Sequence, residues 1–536
     1  MTLRVAQDRG FSIDEKVLAA VEQKTFRELN GPSALDDIVQ AVNLSDPTPN
    51  ESLLLMTAHA SRISRDTVTG AIAQRMATWQ RDGHWVTSDF RPPHSSSLFT
   101  TTATAIRAIQ LYMPDERLSE RDAAIQRARE WLTATPAESV EDASFRLMGL
   151  VWAGADASSP EVIEFSQDLL ALQRPDGGWG QLSGYESDAY STGEAIFALH
   201  EAGTPVTSAA WQKGIRFLRS SQARDGTWRV RTRMLSPAEV SPPYFSTGFP
   251  YGKDEYLSYA GTCWAVMALL SELPETSSLK APVRTDETAP WVRTALFGTT
   301  GDLTALLDSG LDPNSKTANG TTVLMFAAHD AAKVRLLLSR GADAKPRTSS
   351  GTDALTIAAS FRGTGSSVQL LLDAGALPQA PEGVRTRHEP LVLASMSGDL
   401  ESVRLLLTRG ADASAEALSE AVTFGYADVV KSLLDAGADA TIRERTGINL
   451  LHWATIVNRT AVIPVLAAAG VDINAMDDFG FTPLIYAATL DEGDTETMNA
   501  LLRAGADRSI RNKEKRTALD EARRYKHAKL AEALEK

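Results

Sequence analysis

LLALQRPDGGWGQL, residues 169–182, runs an apolar helical segment into a glutamine, an aspartate, two glycines and a tryptophan. Two related stretches, KGIRFLRSSQARDGTW at 213–228 and RMATWQRDGHW at 75–85, repeat the pattern. A segment written three times in one chain points to architecture. A glutamine closing a helix can satisfy loose backbone groups, Asp-Gly makes a turn, and a buried tryptophan adds a large apolar contact. Gln173, Trp179, Gln222 and Trp228 are therefore expected to fasten helical hairpins to one another. Around them, apolar helical stretches rich in small residues recur at 52–64, 98–113, 143–155, 188–202 and 258–272. These suit inner helices packed around an axis, with more polar helices ending near Trp79, Trp131, Gln173 and Gln222 outside them.

At 536 residues the chain is too long for one ordinary domain. No apolar run approaches the roughly 20 residues of a membrane helix, and residues 1–30 lack the apolar core of a signal peptide. As written, the chain is expected to stay in the cytoplasm, and a start further upstream carrying a leader would move it to the periplasm or beyond. The single Cys263 rules out an internal disulfide and any multi-cysteine metal site. The net charge of −14 divides into about −8 before residue 286 and −6 after it, with no basic stripe, so nucleic acid is not an expected partner.

Composition changes at 274–290, PETSSLKAPVRTDETAP, which reads as a linker. Beyond it Gly310, Gly341, Gly375, Gly410, Gly437, Gly470 and Gly505 recur at spacings of 31, 34, 35, 27, 33 and 35 residues. Apolar helices such as VRLLLSRGAD precede most of them, and TTVLMFAA, TPLIYAA and TALDEA follow several. Residues 291–536 thus resemble the ankyrin repeat, about seven to eight units with caps. Each glycine would end a second helix in a left-handed conformation, and the threonine of TPL-type segments would cap the next first helix. The 27-residue spacing leaves no room for a β-hairpin finger, so a notch is expected there. The resemblance implies a protein partner, with Phe326, His329, Trp453, Phe479 and Tyr486 as candidate contacts or, alternatively, repeat core.

In residues 1–273 the Gln–Trp stretches resemble the motif of the terpene cyclase and protein prenyltransferase toroids. RPPHSSSLFTTTATAIRAIQLY, EDASFRLMGLVWAGA and PPYFSTGFPYGKDEYLSYAGTCWAVMALL look like a bacterial family of such toroids. Its members often carry ankyrin repeats and an upstream Cys-x-x-Cys-His haem-attachment segment, and this chain begins where that segment would end. The expected fold is all-α with short β-hairpin fingers, an α/α toroid at 1–273 followed by an ankyrin solenoid at 291–536.

Whether the toroid is an enzyme stays open at this level. Class II cyclases protonate an alkene with the middle acid of Asp-x-Asp-Asp, and here the resemblance aligns Glu186-Ser187-Asp188-Ala189 with that motif. Asp188 would be the acid, with Glu186 beside it; the alternative is that Asp188 only caps its helix. A cap should be ionised with a lowered pKa, an acid buried with a raised one. Glu186, Asp188 and Glu194 also leave a glycosidase-like pair open. Gly261 stands where a prenyltransferase has a zinc-binding aspartate, so no zinc and no other cofactor is expected. No G-x-S-x-G, phosphate loop or H-E-x-x-H occurs.

The connection RVRTRMLSPAEVSPPYFSTGFPYGKDEYLS, 229–258, is long for a compact domain and rich in aromatics. Tyr244, Phe245, Phe249 and Tyr256 are candidate contacts to an apolar or prenyl ligand. Arg229, Arg231 and Arg233 alternate, and an extended chain would project all three to one side, toward an anion or as a solvated edge. The leading reading is an ankyrin-repeat interaction protein with a ligand-binding toroid; its rival is a cyclase-like enzyme using Asp188.

Overall fold

The computed structural model describes the chain except residues 42–45, 90–91, 95, 234–247, 275, 277–287, 382–387 and 491–493. Among the described residues the fold is helical, with isolated β-bridges at two finger bases and at Arg81–His84 and Trp179–Asp188. In the first half the helices Pro47–Ala60, Leu98–Tyr112, Val140–Trp152, Ala189–Glu201 and Glu255–Leu270 each pack on the next. Helix Thr2–Asp8 packs on the last of them, and Asp8 pairs with Arg62, just beyond the first, bringing the two ends of the series together. Helices Thr67–Thr78, Leu118–Ala134, Pro160–Ala171 and Ala209–Ser221 lie between successive members of that series in sequence, on its outer side.

The Gln–Trp stretches repeat one geometry. The indoles of Trp85, Trp179 and Trp228 donate to Met76 O, Leu169 O and Leu218 O at 2.7, 2.8 and 2.8 Å, closing the end of the outer helix before each. The backbone N–H of the same three tryptophans donates to Thr102, Thr192 and Thr262 of the following inner helix at 3.2, 2.9 and 3.1 Å. Glutamine ties in the next outer helix: Gln80 Nε2 donates to Ala124 O at 2.7 Å and Gln173 Nε2 to Ala210 O at 2.8 Å. Gln222, at the last copy, reaches among the described residues only its own turn, Gly226 O at 2.9 Å.

Among the described residues the second half holds eight helix pairs, from Pro290–Leu296 with Thr300–Asp308 to Ala518–Tyr525 with Ala528–Glu535. Gly310, Gly341, Gly375, Gly410, Gly437, Gly470 and Gly505 all have φ between 84° and 105°, the left-handed turn that ends the second helix of each of the first seven pairs. Thr322, Thr482 and Thr517 cap first helices, accepting from Met325 N, Ile485 N and Asp520 N. Fingers close at Thr317–Thr321, Thr348–Thr352, Glu444–Ile448, Asp477–Phe481 and Asn512–Arg516. The short repeat has none: Ser414, four residues after Gly410, already caps helix Ala415–Phe424.

Helix Thr67–Thr78 differs from its outer neighbours. In Leu118–Ala134 only Ala124, Ala128 and Leu132 are buried, a single stripe, whereas residues 69–76 of Thr67–Thr78 are buried without a break. It is covered on its far side by the ankyrin half. This corrects the expectation of a polar outer helix ending at Trp79; that tryptophan is 2% exposed.

Trp179→Ala should destabilise the chain by about 3–5 kcal/mol, the range for deleting a buried tryptophan. Gln173→Ala should cost about 1–3 kcal/mol, since it strips a donor from a carbonyl of the neighbouring helix, and Gln222→Ala less than about 0.5 kcal/mol. Chemical denaturation of the three variants checks the order; equal losses for the two glutamines would remove the hairpin-to-hairpin role.

Candidate functional site

The first helices of the ankyrin pairs and their fingers form one face of the array, and the first half of the chain lies on it. At the fingers, Asp36 accepts from Thr317 Oγ1 and Asn319 Nδ2 at 2.7 and 2.8 Å. Gln40 donates to Thr321 Oγ1 at 2.8 Å and accepts from Thr348 and Ser350 at 2.9 and 2.6 Å. Along the ends of the first helices, Trp79 Nε1 donates to Ser360 O at 2.9 Å and meets Phe424 edge-on at 6.1 Å. Arg81 pairs with Asp428 at 3.0 Å and lies 4.9 Å over the Tyr426 ring, and Arg459 donates to Thr87 O. At Gly70 a Cβ would stand 2.9 Å from Pro114 and 3.1 Å from Phe297, so only glycine lets the helix approach this closely.

His329 sits at the centre of this contact. Its Nε2 lies 2.9 Å from Gln74 Nε2, an amide donor, so the ring nitrogen accepts and the imidazole is neutral. Burial, then the charges of Lys333 and Arg117, push its pKa down to about 3. Lys333 is itself fully buried, donates to Ala295 O at 2.9 Å at the end of helix Pro290–Leu296, and is lowered to about 8 chiefly by burial.

Beside the missing finger the two halves leave a cleft of about 580 Å³, lined by Asp46, Asp89, Glu420, Arg443, Glu444 and Trp453 among others. Trp453 Nε1 donates to Thr423 Oγ1 at 2.7 Å. Burial, then Glu416 and Asp46, raise the Glu420 pKa to about 7.

A second group of polar side chains gathers in the inner layer of the first half. Asp188 caps helix Ala189–Glu201, accepting from Ser191 N at 2.8 Å, and also accepts from Gln181 Nε2 at 2.9 Å. Its pKa is nevertheless raised to about 6, because burial outweighs those bonds. The expected opposition between a cap and a raised acid does not hold, since the capped end is itself desolvated. Glu186 is exposed. Glu141, on Val140–Trp152, accepts from Thr100 Oγ1 at 2.6 Å and Tyr190 Oη at 2.9 Å, and burial raises it to about 8. Glu194, one turn beyond Tyr190, is raised well above the carboxylate range by burial and by Glu141. Sequence reasoning missed Glu141; its only signal was an acid pair opening the otherwise apolar EDASFRLMGLVW.

The other candidates divide. Arg229 and Arg231 are exposed, and Arg229 pairs with Asp254 at 2.9 Å. Arg233 instead turns inward, 3% exposed, its Nε donating to Gln181 Oε1 at 3.0 Å, so the three arginines do not share one side. Tyr256 lies against His94 at 5.6 Å, while Phe249 packs outside on Tyr251 and Tyr259. Tyr244 and Phe245 lie outside the described residues. Phe326 and Tyr486 are 1% and 0% exposed; the first packs on Trp291 and the second donates to Asp477 at 2.5 Å, so neither offers a surface. Phe479 stays half-buried on its finger.

Comparison with known proteins agrees with the second half. Residues 293–382, 418–512 and 451–536 match the family model of ankyrin repeats. The chain is 39% identical over 93 residues to the fruit fly Notch protein, covering 16% of this chain and 3% of that one. It is 28% identical over 162 residues to a protein named as an ankyrin repeat protein in fowlpox virus, 28% of this chain and 47% of that one. A protein named as a squalene–hopene cyclase in Sinorhizobium fredii is 31% identical over 126 residues, 22% of this chain and 17% of that one. In each case the match covers less than half of the relative's length. Among the described residues no helix is long and apolar enough to cross a membrane, and no cluster suits a metal ion.

The neutral state of His329 gives the docking a pH dependence. Its folded pKa, about 3, lies below the unfolded value near 6.5, so the folded chain binds fewer protons in between. The stabilisation is complete above pH 6.5 and is lost as pH falls from there toward 3. Wild-type stability minus that of His329→Gln should therefore shrink on acidification, by up to about 1.4 kcal/mol per pH unit. A difference independent of pH between 7 and 4.5 would show that the ring is not held neutral.

Proposed function

We propose that the chain is an interaction protein whose ankyrin array, residues 291–536, clamps a terpene-cyclase-like toroid, residues 1–273, that binds an apolar ligand. The ankyrin repeats support the protein-interaction part of this reading. The observation that carries the rest is the docking itself: the face that ankyrin arrays present to partners is spent here on the chain's own first half. A partner in trans then uses finger tips such as that of Phe479, or displaces the first half. The order of inner helices, with their ends joined through Asp8 and Arg62, supports the toroid, as does the similarity to the squalene–hopene cyclase. Phe197 and Trp264 support a chamber: both lie on inner helices and both keep part of their rings accessible. Equilibrium dialysis of the full chain with farnesol, a neutral isoprenoid alcohol, tests the chamber. Wild type should bind and Phe197→Asp should not; no binding by the folded wild type would remove the ligand.

The rival reading, a cyclase-like enzyme, is favoured by Asp188 alone, a carboxyl at an inner-helix start whose pKa is raised to about 6. On that reading wild type converts squalene or a prenyl diphosphate and Asp188→Asn, which can still cap, converts neither at unchanged melting temperature. A broad product screen in which wild type yields nothing would end it.

A further inference from the structure

Glu194 lies buried in the inner layer, on helix Ala189–Glu201. It is 1% exposed, and among the described residues neither of its oxygens has a hydrogen-bond partner. The charged groups that act on it most strongly, Glu141, Asp188 and Asp142, are all acidic. A carboxyl in that company holds its proton, which leaves a buried O–H with nothing to donate to. An orphan of this kind costs about 1–3 kcal/mol, and folded chains rarely keep one without a use for it. The hydroxyl of Ser144, one turn along from Glu141, is also buried and unpartnered. Four inner helices and the segment before them contribute to the same place. Tyr190 Oη bonds Glu141 at 2.9 Å and stands 3.4 Å from His94 Nδ1, and Tyr256 meets the His94 ring. Arg233 lends Glu141 a positive field while bonded to Gln181. One turn further along the inner helices, Phe145 and Phe197 pack against Trp264 with centroids 6.1 and 5.6 Å apart.

We propose that Glu194 and Glu141 form a binding site for an organic ammonium ion whose apolar body rests on Phe145, Phe197 and Trp264. The inference rests on reading the inner layer as a ligand chamber. Acid groups outnumber cations here, the unpartnered oxygens of Glu194 and Ser144 lie on two inner helices packed against each other, and aromatic faces attract positive charge. The ammonium N–H groups donate to the Glu194 oxygens. As the cation enters, the Glu194 carboxyl releases its proton to the buffer, so the bound ion pair is neutral overall. A neutral molecule of the same shape gains the aromatic contact but releases no proton.

Titration calorimetry of the full chain at pH 7 with hexan-1-amine and with hexan-1-ol, each in phosphate and in Tris, separates the cases. The amine should bind about tenfold more tightly than the alcohol. Its apparent enthalpy should differ between the buffers by the amount that one released proton per amine requires. Glu194→Gln should abolish that release and bring the amine to the affinity of the alcohol. The proton count on the wild type stands even if the variant fails to fold. Equal binding of amine and alcohol, or amine binding without proton release, would overturn the ammonium site and leave the chamber standing. Binding of neither probe would overturn both.

Discussion

From Thr69 to Met76 helix Thr67–Thr78 offers no residue to water, and a helix buried all round needs something on every side. One side is met by the inner helices of its own half and the other by the ankyrin array, so the two halves have to be docked for this helix to be satisfied. Gly70 sets how close they come, with Pro114 on one flank and Phe297 on the other. Its one charge, Arg75, is 3% exposed and pairs with Glu51 at 2.6 Å. Large apolar contacts hold the arrangement together; the bonds of Asp36 and Gln40 to the fingers and of Gln74 to His329 fix its register, because each would be left unpaired by a shift.

Polar groups are treated differently in the two buried regions. At the docking surface many buried donors and acceptors find partners across the contact, and Lys333 reaches three carbonyls at the end of helix Pro290–Leu296. In the inner layer of the first half Asp188, Glu141 and Glu194 act on one another, and among the described residues the oxygens of the last have no hydrogen-bond partner.

Much of this was legible in the chain. The seven glycines and the capping threonines mark helix ends, which depend on local backbone chemistry and therefore show in local sequence. The Gln–Trp stretches could be read for the same reason, and the 27-residue spacing announced the missing finger. Docking was less visible, because a contact between distant segments has no period; its one trace is TVTGAIAQRMA, an outer helix too apolar to face solvent. The alternation of Arg229, Arg231 and Arg233 failed as a guide because Gln181 draws the third inward. Phe326 and Tyr486 were aromatic enough to suggest contacts, yet a solenoid consumes such residues between its units.

The gap in the finger row has one more effect. The cleft of about 580 Å³ beside it takes Asp46 and Asp89 from one half and Glu420, Glu444 and Trp453 from the other, so its walls exist only while the halves are together. Occupancy and docking are then coupled equilibria: whatever fills the cleft stabilises the closed chain by its own free energy of binding, and whatever pries the halves apart expels it.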